Sequence, residues 1–262
     1  MKASLVWTLS SVAAIGLVGT GVAVWALTQP QPTTASTDDG PADGIVVDAT
    51  EVPPLYTGDE LEWLIPADDV LGALAGASGF EQTEAAYGGT GETEGIGANP
   101  EQCTMLVQED FTDVVGQRFR RFSTESGYGS VRVLQFGSPE TAEAWMTPHL
   151  DAAGDASCAA FEWGRFYGDE DEVFQHYTHA LLADDTAAAG GADAQVVIER
   201  LDVAESGEYD QDLITATMIY GNTITMLSVG FRDDTAVEAD AVVNALRAQA
   251  DEAHENLVAA LR

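Results

Sequence analysis

Two cysteines, four histidines and nine arginines are the scarce reactive side chains of this 262-residue chain, in which Lys2 is the single lysine. Cys103 and Cys158 form an even pair, which outside the cytoplasm reads as a disulfide. Closing a loop of about 55 residues would stabilise the fold by roughly 4 kcal/mol in the chain-entropy model. The competing reading is a redox-active or metal-binding pair. No CxxC occurs, and two sulfurs alone do not make a zinc site. His176-Tyr177-Thr178-His179 invites a metal, but on a strand positions 176 and 179 face opposite sides. The spacing therefore predicts Tyr177 and His179 on one sheet face, and no metal. Arg118, Arg120, Arg121 and Arg132 fall within 15 residues. They either balance a very acidic surface or form a basic lip for an anionic ligand, since guanidinium forks suit carboxylate and phosphate.

Other candidates carry less. Gly168-Asp169-Glu170-Asp171-Glu172 lacks the alternating ligands and glycine of a calcium loop and reads as a solvated turn. No G-x-S-x-G elbow and no GxGxxG or GxxxxGK phosphate cradle occurs. Carboxylates are too numerous to single out a catalytic pair. No catalytic residue, metal or cofactor is therefore expected. Trp145, Trp163, Phe166 and Tyr167 read as core or rim.

The charge narrows the partners. With 44 acidic and 10 basic residues the formal net charge is −34. Nucleic-acid binding needs Lys and Arg against phosphate, so it is excluded. Docking of the folded part on anionic lipid is disfavoured for the same reason. The 45% hydrophobic content is that of a globular chain. The acidity reads as a compositional bias, or as adaptation to a cation-rich setting that screens self-repulsion.

The elements that must position these residues begin with the N-terminus. Between Lys2 and Asp38 there is no charge, and Leu5 to Leu27 is apolar over 23 residues. That is long enough to span a hydrocarbon core of about 30 Å, and longer than the usual signal-peptide core. The expectation is an uncleaved single-pass anchor over residues 1–27 with its start in the cytoplasm. Cleavage near Val24-Trp25-Ala26 would instead release a secreted protein. Trp7 and Trp25 lie near the two ends of the run. No cysteine follows it closely, so a lipidated cysteine is excluded. Residues 28–59, rich in Pro, Gly, Thr and Asp, read as a flexible tether. The folded part, 60–262, is expected to start near Glu60 and lie outside the cytoplasm.

Within it, Pro66-Ala67-Asp68-Asp69 opens a helix that stops at Gly76. Gly88 to Asn99 reads as a loop. Phe119 to Phe136 holds two strands around Ser126-Gly127-Tyr128-Gly129. Ser138-Pro139-Glu140 starts a helix running to about Leu150. Val173 to Leu182 reads as a strand and Ala183 to Ala194 as a loop. Gln195–Val203, Leu213–Tyr220 and Thr223–Phe231 are three further strands, the last two joined at Gly221-Asn222 by a two-residue hairpin turn. Thr235 to Glu238 matches a capping box before a helix reaching the C-terminus. This order predicts an α+β fold with a largely antiparallel sheet.

The stretch Asn99-Pro100-Glu101-Gln102-Cys103 opens a pattern that continues through Gln117-Arg118-Phe119-Arg120-Arg121. Val131-Arg132-Val133-Leu134-Gln135-Phe136-Gly137-Ser138-Pro139-Glu140-Thr141-Ala142 follows, then Trp145 and Cys158, with Leu64-Ile65-Pro66 upstream. This pattern resembles the extracellular sensor-domain family of the mycobacterial PknH-type Ser/Thr kinases, also found without a kinase in actinobacterial envelope proteins. The resemblance covers most of residues 60–262. It implies a tethered domain outside the membrane with a cleft for an unknown ligand. The chain departs from the family in having no second cysteine pair in its C-terminal half. It also shows no kinase domain ahead of the apolar run. The reading is a membrane-tethered extracytoplasmic binding or sensor domain without catalytic activity, taking a small-molecule or envelope ligand. Its rivals are an envelope structural or protein-interaction module and, behind that, a hydrolase of envelope material.

Overall fold

The computed structural model describes residues 53–82, 96–107, 113–124, 127–166, 172–189, 192–204, 212–231 and 238–261. Its strands are β1 (Ser78–Gln82), β2 (Ile96–Asn99), β3 (Gly116–Thr124), β4 (Gly127–Gln135), β5 (Ala160–Arg165), β6 (Glu172–Ala189), β7 (Ala192–Ala204), β8 (Asp212–Tyr220) and β9 (Thr223–Phe231). They form one nine-stranded sheet in the order β1-β3-β4-β9-β8-β7-β6-β5-β2. Every neighbouring pair is antiparallel. Three α-helices, α1 (Asp68–Ala75), α2 (Pro139–Gly154) and α3 (Ala239–Ala260), accompany it. The fold is thus α+β with an antiparallel sheet.

Both faces of this sheet are covered, because alternate residues of the central strands are apolar on each side. On one face Val131, Val133, Val196, Ile198, Ala216, Met218 and Tyr220 pack with Val242, Val243 and Leu246 of α3. Leu71 of α1 joins them, with Leu61 and Leu64 of a 3-10 helix over Gly58–Leu64. On the other face Leu134, Ile219, Ile224 and Met226 meet Ala142 and Met146 of α2.

The helix signals act as read. Ser138 accepts a hydrogen bond from the Thr141 N–H at 3.3 Å, with Pro139 at the first position and Glu140 in the first turn. Gly76 ends α1 at φ 59°, a conformation that costs glycine little. α2 runs past Leu150 to Gly154 through an internal proline, Pro148. α3 starts at Ala239 with Glu238 as its N-cap and no side-chain capping bond; Thr235 lies outside the described residues.

Two segments read as loops are strand. Ile96–Asn99 pairs with β5, opposite Glu162 to Arg165. Residues 183–189 and 192–194 complete a long β6–β7 hairpin. Alanine disfavours strands, but here tertiary packing overrides propensity. Ala187 pairs with Ala194 and Ala189 with Ala192, and Ala189 and Ala194 are buried in the core beside α3. A register shift between Leu181 and Ala183 changes which face the odd-numbered residues take. Tyr177 and His179 look toward α2, whereas Asp185 meets Arg247 of α3 at 2.6 Å.

Packing begins before Glu60. Pro54 and Tyr56, within the segment read as tether, are buried. The Asn222 carboxamide oxygen accepts the Tyr56 N–H at 2.7 Å, and its nitrogen donates to the carbonyls of Tyr56 and Phe136 at 3.0 and 3.1 Å. Gly221, at φ 55°, lies against the Pro54 carbonyl, where any Cβ would collide. Among the described residues no helix is long and apolar enough to cross a membrane. The run Leu5 to Leu27 lies outside them, as do residues 28–52.

Candidate functional site

Cys103 and Cys158 are disulfide-bonded, with an S–S distance of 2.01 Å. Cys103 sits in a 3-10 helix, Glu101–Leu106, and Cys158 in another, Ala156–Ala159, just after α2. Both are fully buried, beside Ala98, Ala152 and Phe161. Gln102 Nε2 donates to Ser157 Oγ at 2.9 Å across the same junction. The bridge therefore ties the end of α2 to the segment that follows β2.

Strand alternation divides the four arginines. Arg118 and Arg120 lie on the α1 face. Arg118 meets Asp59 at 2.9 Å and Glu62 at 3.1 Å. Arg120 pairs with Asp68 and lies 4.9 Å from the Phe80 ring centre. Arg121 and Arg132 take the opposite face. Phe119 stands directly across from Arg132 in the β3–β4 ladder. The two guanidinium groups lie 5.3 and 5.4 Å from the Phe119 ring centre. The cluster is two pairs on opposite faces of the sheet.

A third group was not singled out in the sequence. Glu199 on β7 is buried beneath α2. Its Oε2 lies 2.5 Å from His149 Nε2, and its Oε1 lies 2.8 Å from His179 Nε2. The other ring nitrogen of His149, Nδ1, is 2.9 Å from the Met105 carbonyl oxygen. The His179 and Glu199 side chains are 4% and 6% exposed, and that of His149 16%. Burial pushes the Glu199 carboxyl up, but hydrogen bonds from His149 and His179, with their charges, outweigh it and bring it down to about 2. Glu199 is therefore an anion, and an anion accepts only. The Met105 carbonyl also accepts only, so both contacts of the His149 ring are filled only when its two nitrogens both donate. Both oxygens of Glu199 and both nitrogens of His149 have partners within the protein.

The signal for this group was a polar residue in an apolar stripe. Ala142, Met146, His149 and Ala153 follow one face of α2. Val197, Glu199 and Leu201 alternate on β7 in the same way. His176 stays apart: it is exposed on the opposite face, 3.6 Å from Glu162. Among the described residues no group of three or more His, Cys, Asp or Glu side chains is arranged to hold a metal ion. Residues 168–171 of the acidic run, and Tyr167, lie outside the described residues. Trp145 packs on Phe136 at 5.5 Å, and Tyr177 stacks on Phe161 at 5.2 Å. Trp163 packs against the cluster around the disulfide.

No family model and no curated protein matches the chain. Among solved structures it is similar to the extracellular domain of PknH from Mycobacterium tuberculosis, with 11% identity over 78% of this chain and 98% of that one, at a TM-score of 0.49. It is also similar to the Rv0999 ortholog from Mycobacterium smegmatis, with 9% identity over 74% of this chain and 95% of that one, at a TM-score of 0.40.

Proposed function

We propose that this chain is a membrane-tethered extracytoplasmic binding domain that takes an anionic envelope or small-molecule ligand and catalyses no reaction. One observation supports the ligand class: the Arg121 and Arg132 guanidinium groups both lie over the Phe119 ring, on the sheet face opposite Arg118 and Arg120. Two guanidinium forks beside an apolar ring suit a ligand with carboxylate or phosphate groups and a flat apolar part. The −34 charge opposes anions at long range. At about 0.15 M salt, however, screening acts over roughly 8 Å, and the nearest charges decide. The tether rests on the apolar run Leu5 to Leu27. The compartment rests on the Cys103–Cys158 bridge, which persists outside the reducing cytoplasm.

The test is calorimetric titration of the detergent-solubilised full chain with inorganic phosphate and with citrate, beside Arg121→Ala and Arg132→Ala. Saturable binding, weakened at least about tenfold by either substitution, supports the reading. No binding, or binding that both variants retain, overturns it. A second reading, an envelope protein-interaction module, is favoured by Leu181 and Leu182, which are 42% and 44% exposed at the β6 irregularity. Crosslinking in intact cells through a photoreactive residue at position 182 tests it. One reproducible protein partner supports that reading, and crosslinking only to solvent or lipid removes it.

A further inference from the structure

We propose that His149 is a proton-operated latch that holds the C-terminal half of α2 on the sheet as an imidazolium and releases it when the proton leaves. This inference is independent of the anion-binding face. It rests on geometry: Nδ1 and Nε2 of one ring each face an oxygen that accepts. A neutral imidazole has one N–H and one lone pair. Loss of the proton therefore sets a lone pair against either Met105 O or Glu199 Oε2. If Nδ1 keeps the proton, Glu199 is a buried anion with one oxygen unmatched by a donor; if Nε2 keeps it, the Met105 carbonyl loses its donor, and either loss is costly.

The cluster holds three titratable groups, His149, Glu199 and His179. From β6, His179 donates to Glu199 Oε1, and Leu181 pairs directly with Glu199. From β8 the residue opposite Glu199 is Thr215, whose hydroxyl bonds to Ser228 of β9. Tyr177, further along β6, directs its hydroxyl to Gln175. The Cys103–Cys158 bridge and the Met105 carbonyl complete the surroundings and carry no charge. Trp145, Met146, Ala152 and Ala153, the helical neighbours of His149, are neutral. Glu199 stays ionised well below neutral pH, so a proton lost from the cluster as pH rises leaves a histidine rather than the carboxyl.

The fold supplies a place for movement. Pro148 directly precedes His149 and lacks the N–H that would bond the preceding turn. One residue earlier, Thr147 Oγ1 donates back to the Glu143 carbonyl at 2.8 Å. Helices bend at such points. The segment beyond it leads to Cys158, so release would loosen the end of α2 while the disulfide keeps it attached.

The test is nitrogen-15 NMR of the histidine rings in the full chain in detergent micelles, with hydrogen exchange across residues 146–154 from pH 6 to 9. At pH 7 a free imidazole, with its pKa of about 6.5, is mostly neutral. The latch requires His149 to show two protonated ring nitrogens there. It also requires exchange in 146–154 to rise at least about tenfold beyond the intrinsic base-catalysed increase once that proton is lost. In His149→Gln this excess should vanish. A neutral His149 ring at pH 7 overturns the proposal, as does the same pH-dependent excess in the variant. If His149→Gln does not fold, the ring titration of the unaltered protein decides alone.

Discussion

His149 and Glu199 lie 50 positions apart in the chain and 2.5 Å apart in space, joined where α2 crosses β7. The contact sets a carboxylate against an imidazole, nearly sealed from solvent, in a layer of apolar and aromatic side chains and a disulfide. A buried ion pair adds little net stability over an apolar pair, yet it is expensive to break from one side.

Removing the anion should therefore be severe. Glu199→Ala leaves a buried imidazolium facing a void, with an expected loss of about 3–5 kcal/mol. The pH profile has a definite sign. The Glu199 carboxyl falls from 4.5 to about 2 on folding. Its contribution is present above pH 4.5 and is lost as the pH falls toward 2, by an amount on the order of 3 kcal/mol. Urea unfolding between pH 5.5 and 2.5, compared with Glu199→Gln, checks this; a parallel pH dependence in the two proteins would count against it.

The disulfide closes a separation of 55 residues. Cys103→Ser with Cys158→Ser should destabilise by about 4 kcal/mol, lowering the denaturant midpoint and steepening the slope, because the unfolded chain without the bridge exposes more surface. Thiol labelling of the exported protein under denaturing, non-reducing conditions should find no free thiol. Two per chain would show that the bridge does not form in the cell.

The turn Gly221-Asn222 should tolerate nothing larger. Gly221→Ala forces a side chain into a left-handed conformation and against the Pro54 carbonyl. A loss of about 1–3 kcal/mol is expected. Asn222→Ala strips partners from the backbone of Tyr56 and Phe136, with a loss of similar size. Thermal melts of each variant check both, and limited proteolysis should show earlier cleavage around residue 56.

The arginines should separate by face. Arg118→Ala removes ion pairs to Asp59 and Glu62, of which Asp59 is fully exposed, so it should cost under about 1 kcal/mol and leave anion affinity intact. Arg121→Ala should do the reverse, lowering affinity with little change in melting temperature. Equal effects of the two on affinity would place the ligand elsewhere.

The apolar run should hold the chain in the membrane. Alkaline carbonate extraction of host membranes should leave it in the pellet, since about 20 apolar residues suffice to span. Quantitative release with a mature N-terminus near Leu27 would identify a cleaved signal instead.

Several features were legible in the sequence because their cause is local. Ser138-Pro139-Glu140 sets the start of α2 through groups within one turn. Gly76 stops α1 by its own backbone freedom, and Gly221-Asn222 joins two runs of alternating apolar residues. The two cysteines needed only their even count. The β6–β7 hairpin was half legible: Val173 to Leu182 and Gln195 to Val203 carry strand-forming residues. Ala183 to Ala194 does not, and it becomes strand only because its alanines pair with one another and pack beside α3.

Proximity on the primary chain misled in one place and concealed in another. Four arginines within 15 residues look like a patch, yet strand pleating sends Arg118 and Arg120 to one face and Arg121 and Arg132 to the other. His176 and His179 look like a pair, yet the partner of His179 is Glu199, which it shares with His149 from α2. The sequence by itself determined the kinds of element, the long apolar run and the disulfide, since these follow from propensity, periodicity and composition. Only the tertiary structure decided which charges meet. A helix laid across a sheet brings together residues whose separation in the chain says nothing of their distance, and burial then makes each such meeting matter.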